Sequence, residues 1–226
     1  METPEKIRKA YVEYVLETGK QPISVFQFAK KLKIAEADFY TDYASFDAIE
    51  ADVWLSFFTD AKATVEADDT YQGYSVREKV LAFYYTWIEL LKAHRSFVTY
   101  SYDRLRSEMA ASGPMAKARQ RAGRQAGTSR VLYPFKDAFL DYARDLLAEG
   151  RESKEVEPRP FLTDRYPGAL WGQTLYLVDF WLRDVSKNFE KTDTAIEKAV
   201  NTSFDLIGRS PLDSLFDLAK FMYQNK

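Results

Sequence analysis

The sequence predicts an all-α protein, with a small three-helix unit at the N-terminus followed by a larger helical domain. Apolar side chains recur at three- and four-residue spacing along most of the chain, capping residues stand ahead of these runs, and no stretch alternates like a β-strand. With 46% hydrophobic and 15% aromatic residues, the 226-residue chain has the apolar bulk for a sizeable core. Its nine glycines and eight prolines fall mostly at the expected boundaries.

Thr3-Pro4-Glu5 supplies a cap, a proline at the first helical position and an acid in the first turn, and Ile7, Ala10, Tyr11, Tyr14 and Val15 follow at helical spacing up to Gly19. Ser24-Val25-Phe26-Gln27 forms a capping box for a short second helix through Lys31, with Val25, Phe28, Ala29 and Leu32 facing inward. A third helix is expected from about Ala35 to Tyr43, with Phe39 and Tyr40 as its large buried residues. Ser45 caps a longer helix in which Ile49, Val53, Phe57, Ala61 and Val65 make one stripe. Ser75-Val76-Arg77-Glu78 is a second capping box, and Val76, Val80, Phe83, Trp87 and Leu91 form the apolar face that follows it. A short helix is expected from about Phe97 to Ala110. After Gly113-Pro114, Leu132, Phe135, Phe139, Tyr142 and Leu146 share a face that ends near Gly150. The segment from about Thr163 to Lys187 is apolar on more than one face. The last helix begins around Thr192 to Thr194, bends or breaks at Gly208-Arg209-Ser210-Pro211, and finishes with Leu215, Phe216, Leu218 and Met222.

The formal net charge of -2 gives no bulk attraction to nucleic acid or to an anionic membrane. With no cysteine, the chain has no disulfide or thiolate chemistry, and His94, the single histidine, is too little for a structural zinc site. No Ser, His and Asp arrangement, glycine-rich phosphate loop or HExxH motif is present, so neither enzyme activity nor a cofactor or metal is expected. The N-terminus lacks the layout of a signal peptide, and the longest strongly apolar helical stretch, Leu81 to Leu91, is too short to cross a membrane; a cytoplasmic location is expected. Residues 117 to 130 contain Lys117, Arg119, Arg121, Arg124 and Arg130 and no acid. That stretch reads as a solvated face, with an acidic partner surface, lipid headgroups or nucleic acid as alternatives.

Between residues 7 and 54, the run of Gly19, Ser24-Val25-Phe26-Gln27-Phe28-Ala29-Lys30-Lys31-Leu32-Lys33-Ile34, Asp38-Phe39-Tyr40 and Ser45-Phe46-Asp47-Ala48-Ile49 resembles the N-terminal helix-turn-helix of TetR-type transcriptional regulators. Ser24 falls where the family caps its second helix, Lys33 where a turn glycine is usual, and Phe39-Tyr40 on the family's Leu-Tyr pair. The usual aromatic phosphate contact falls on Asp42, the following aromatic on Tyr43, and the usual lysine of the fourth helix on Phe46. The resemblance implies a DNA-binding domain at residues 1–50 and a helical ligand-binding and dimerisation domain at 51–226.

For DNA, it implicates Ser24, Gln27, Lys30, Lys31, Lys33, Asp38, Tyr40 and Thr41. Against DNA stand Glu36, Asp38, Asp42, Asp47 and Glu50, with no Lys or Arg between Ala35 and Glu50, although an acid can accept from cytosine N4. Phe83, Trp87, Tyr100, Phe135, Phe139 and Trp171 are either plain core or the lining of an apolar ligand cavity. Leu175, Val178, Trp181, Leu182, Ile196, Val200 and Phe204 either face a second subunit in a homodimer or close the core within one chain. Two functions stay open: a dimeric, ligand-responsive regulator on double-stranded DNA, or an accessory protein that carries a lipid or hydrophobic small molecule without DNA, as in proteins of ubiquinone biosynthesis with a similar fold.

Overall fold

The computed structural model describes residues 3–111, 130–159, 162–208, 221–222 and 224. Every regular element among them is helical: α1 Thr3–Thr18, α2 Val25–Leu32, α3 Glu36–Asp42, α4 Phe46–Glu66, α5 Val76–Ala93, α6 Arg95–Ala111, α7 Tyr133–Glu152, α8 Tyr166–Arg183 and α9 Glu190–Ile207. The expected basic stretch, apart from Arg130, and the expected ending at Leu215, Phe216 and Leu218 lie outside the described residues. The chain divides into two compact units, Met1–Asp60 with Glu89–Ala138, and Ala61–Ile88 with Phe139–Lys226.

In the first unit, α1 to α3 close around Tyr11, Phe28, Phe39 and Phe46. Phe46 stacks on Tyr11 with ring centroids 5.8 Å apart and meets Phe28 and Phe39 edge-on at 5.5 and 5.7 Å. Such aromatic pairs add about 0.5–1.5 kcal/mol each to the burial of their area. Ser24 caps α2 by accepting from the Gln27 backbone N–H at 3.3 Å. The helix ends in a Schellman arrangement, with Lys33 in the left-handed region at φ 57° and the Ile34 N–H returning to the Ala29 carbonyl at 3.1 Å. Phe39 is fully buried, but Tyr40 is 52% exposed. The expectation that both are core is corrected, because adjacent residues on a helix point about 100° apart and α3 has only one covered side. Trp54 of α4 stacks on Phe135 at 6.4 Å and donates its indole N–H to Ser101 of α6 at 2.8 Å.

In the second unit, Ser75 and Glu78 form the expected reciprocal capping box, and Phe83, Trp87, Phe139 and Trp171 interlock above it. The apolar segment expected to run to Lys187 stops at Arg183. There Asp184 turns the chain: its carboxylate accepts from the Ser186 N–H and hydroxyl at 2.8 and 2.6 Å and from the Thr192 N–H and hydroxyl at 2.9 and 2.7 Å. Burial works against this charge, but the hydrogen bonds from Ser186 and Thr192 prevail and hold the Asp184 pKa down at about 2. Gly208 ends α9, and a side chain there would come within 2.8 Å of the Phe204 carbonyl oxygen.

Candidate nucleic-acid interface, ligand pocket and subunit face

The outer side of α2 and α3 carries the residues implicated in DNA contact. Gln27, Lys30, Lys31, Lys33, Asp38, Tyr40 and Thr41 are exposed, and Ser24 is half-buried in its capping role. Three of them are already engaged locally. Asp38 accepts from the Ala35 N–H at 3.1 Å, so it caps its own helix; Thr41 donates to the Ala37 carbonyl at 3.2 Å; Lys31 lies 3.6 Å from Glu17 and over the Tyr14 ring. Lys30 and Lys33 meet no carboxylate among the described residues. Phe26, 59% exposed, and Ile23, 80% exposed, add apolar surface to this side, which the helical spacing of the inward residues did not single out.

The acidity expected of this region is reduced. Glu50 is fully buried and accepts from the Tyr11 hydroxyl at 3.0 Å, the Ser101 hydroxyl at 2.5 Å and the Arg104 guanidinium at 2.7 Å. Asp47 accepts from the same guanidinium and from the Gln21 amide, each at 3.1 Å. Arg104 of α6 therefore supplies one base to the stretch from Ala35 to Glu50 and matches the buried Glu50, while Asp47, its side chain 58% exposed, stays on the surface as do Glu36, Asp38 and Asp42. Burial and the adjacent Glu50 charge raise the Tyr11 pKa well above the ordinary tyrosine value, which keeps its hydroxyl a donor. Tyr43, at the position of the family's following aromatic, and Phe46, at the position of its usual lysine, both turn inward. Phe46 joins the aromatic cluster, and Tyr43 donates to Asp52 at 2.7 Å, with its pKa raised by burial and by that carboxylate.

The six candidate ligand residues do not form one set. Phe83, Trp87, Phe139 and Trp171 come together in the second unit, with Phe83 stacked on Trp87 at 6.2 Å and Phe139 against Trp171 at 5.8 Å. Phe135 and Tyr100 belong to the first unit and are not brought together with these four. Phe135 is spent on Trp54 and Phe58, and the Tyr100 phenol is raised in pKa by burial and by the Glu50 charge. Beside the four that meet lies a void of about 10 Å³, lined by Val80, Phe83, Tyr84, Phe139, Tyr142 and Leu170 among others. It is no larger than one water needs. Its polar fixtures are phenols: Tyr84 hydrogen-bonds Thr174 at 3.0 Å, and Tyr142 shares a 2.8 Å contact with Tyr71. Burial raises the pKa of both Tyr84 and Tyr142, so both are neutral.

Of the candidate subunit-contact residues, Val178, Trp181, Ile196, Val200 and Phe204 are buried within the chain, and Leu175 and Leu182 are half-buried. The first five are corrected from interface to core, because they are the sides on which α8 and α9 cover their own unit. What α8 and α9 leave open is a groove of about 700 Å³ lined by Gly172, Tyr176, Phe180, Ala195, Ala199 and Thr202 among others. The signal for it was a second set of four-residue steps, Gly172-Tyr176-Phe180 and Ala195-Ala199, outweighed in the sequence by bulkier neighbours.

Several solved structures share the fold. The TetR transcriptional regulator from Nitrosomonas europaea ATCC 19718 superposes with a TM-score of 0.56 at 13% identity, covering 90% of this chain and 98% of that one. A bacterial regulatory protein in the tetR family from Rhodococcus RHA1 gives 0.51 at 12% identity, covering 93% and 99%. The reduced form of E. coli NemR gives 0.50 at 13% identity, covering 93% and 99%. No curated protein matches the sequence. Residues 79–222, more than half of the chain, match the tetracyclin repressor-like C-terminal domain, and with that match behind an N-terminal helix-turn-helix, the chain belongs to the TetR family of transcriptional regulators.

Proposed function

We propose that this regulator is a homodimer that binds double-stranded DNA through α2 and α3 and releases or holds it in response to an apolar small molecule. The observation that carries the reading is the Arg104 guanidinium on Glu50, because it takes this buried carboxylate out of the five that would repel a phosphate backbone while Lys30, Lys31 and Lys33 stay exposed. Residues 1–50 are then the DNA-reading domain, and residues 51–226 the ligand-binding and dimerisation domain, in a protein that acts in the cytoplasm without catalysing a reaction. The effector enters at the void beside Phe83, Tyr84, Phe139 and Tyr142, where apolar rings supply the contact area and two phenols give it orientation. Such an opening is open to an effector only if these side chains yield. The family match and the solved structures lend no support to the lipid-carrying alternative.

A fluorescence titration of labelled duplex across a salt series tests the reading. Micromolar or tighter non-specific binding at low salt is expected, and replacing Lys30, Lys31 and Lys33 together by alanine lowers the salt slope by up to about 3 if all three meet phosphates. No binding even below about 50 mM salt would overturn it.

A further inference from the structure

Around α3, distance in sequence from the buried Phe39 sets where each side chain stands, because successive residues of a helix are rotated by about 100°. Glu36 and Asp42, three residues to either side, lie about 60° from the buried direction, at the margins of the exposed surface. Asp38 and Tyr40 lie about 100° from it, on the flanks. Ala37 and Thr41, both exposed, lie about 160° from it and form the crest. The Thr41 hydroxyl donates to the Ala37 carbonyl at 3.2 Å, which turns it back on the helix and leaves the γ-methyl to meet a partner beside the Ala37 methyl. The acids of α3 therefore border its outer surface, and methyl groups occupy the middle.

The seven residues of α3 include no arginine, lysine, asparagine or glutamine, the side chains that read guanine or adenine by paired hydrogen bonds. Carboxylates accept from cytosine N4, but here they stand off the crest, and Asp38 already accepts from the Ala35 N–H at 3.1 Å. What remains for direct readout is apolar contact. The apolar group that a base edge presents in the major groove is the C5-methyl of thymine. Ile23 and Phe26, 80% and 59% exposed, extend the apolar surface on the same outer side. We propose that α3 selects thymine by its methyl group, with Ala37 and Thr41 as the specificity-determining residues. This rests on the reading of α2 and α3 as the DNA-binding pair. Lys30, Lys31 and Lys33 then hold phosphates, which are alike in every sequence, and the crest of α3 chooses among sequences.

Short duplexes are selected from a random pool on the full-length protein, and the selected sequence is made twice, with thymidine and with deoxyuridine. The two pair alike and differ by the methyl alone. The wild type is expected to bind the deoxyuridine duplex at least about fourfold more weakly, the worth of covering one methyl. Thr41→Ser keeps the hydroxyl and its bond to Ala37 but drops the methyl, and its ratio between the two duplexes is expected to fall to about twofold or less. Thr41→Val keeps a methyl and drops the hydroxyl, and is expected to retain the wild-type ratio. Thr41 is exposed, so both variants are expected to keep the thermal melt of the wild type. Equal affinity of the wild type for the two duplexes, a Thr41→Ser variant that keeps the full ratio, or a Thr41→Val variant that loses it, each overturns the proposal and leaves DNA binding standing. A pool from which no duplex is retained even at low salt overturns it together with the regulator reading.

Discussion

The Arg104 guanidinium lies 2.7 Å from the Glu50 carboxylate, and Glu50 has no solvent exposure at all. An ion pair this deep contributes little net stability over an apolar pair of the same shape, but breaking it strands a charge. Arg104→Ala is therefore expected to cost about 3–5 kcal/mol, and Glu50→Gln less, because the amide oxygen still accepts from Tyr11 or Ser101. Chemical denaturation measures both. Equal costs for the two variants would mean that water reaches Glu50 and that the carboxylate is not stranded.

Lys33 occupies a left-handed backbone position at φ 57° with its side chain exposed. For a residue with a Cβ that conformation costs about 1 kcal/mol or somewhat more, and glycine adopts it freely. Lys33→Gly is thus expected to raise stability by about 0.5–1 kcal/mol while lowering the slope of DNA affinity against salt by up to about 0.9. A thermal melt and a salt titration on the same variant read the two effects separately. A stabilised variant whose slope is unchanged would place Lys33 away from phosphate.

What was legible in the sequence follows from locality. Ser24, Ser45 and the Ser75–Glu78 pair were readable as caps because a cap and its partner lie three residues apart, and the stripe from Ile49 to Val65 was readable because one covered face repeats with the helix. Glu50 was not, since its base stands 54 residues away on another helix and a carboxylate in isolation reads as solvated. The division of α8 and α9 into inner and outer sides was also hidden. Period identifies apolar faces but does not say whether the chain itself or a second copy covers them, so Trp181 and Val200 stayed open between subunit face and core, and Ala199 was not singled out.

Asp184 holds the turn between α8 and α9 with a carboxyl pKa of about 2, below the usual 3.8. Because the folded value is depressed, its contribution is fully present above about pH 4, where the unfolded carboxyl is also ionised, and fades as pH falls toward about 2. Asp184→Asn retains one acceptor oxygen and loses the charge. Its urea midpoint is expected to lie below that of the wild type at neutral pH, with the gap narrowing between about pH 4 and pH 2. A gap that stays constant through this window would mean that the charge itself contributes nothing to the turn.

The open groove on α8 and α9 sets the last expectation. Ala195 and Ala199 stand one turn apart beside Tyr176 and Phe180, whose rings are 6.0 Å apart, so the face presents small residues next to aromatic ridges, which lets a second helix pair approach closely. Twofold pairing of this face would assemble four helices. Ala199→Asp then puts two carboxylates at or near the axis, where each lacks a partner. Sedimentation velocity is expected to show a dimer for the wild type at micromolar concentration and a monomer for the variant. Helical circular dichroism should be unchanged in the variant, because Ala199 faces away from the buried Val200 and Phe204. A variant that remains dimeric would move the subunit contact off this groove. A variant that loses its helical signal would instead show that each protomer depends on its twin to stay folded, and the gentler Ala199→Ser, with the same face but no charge, separates the two outcomes by keeping dimer and helix together.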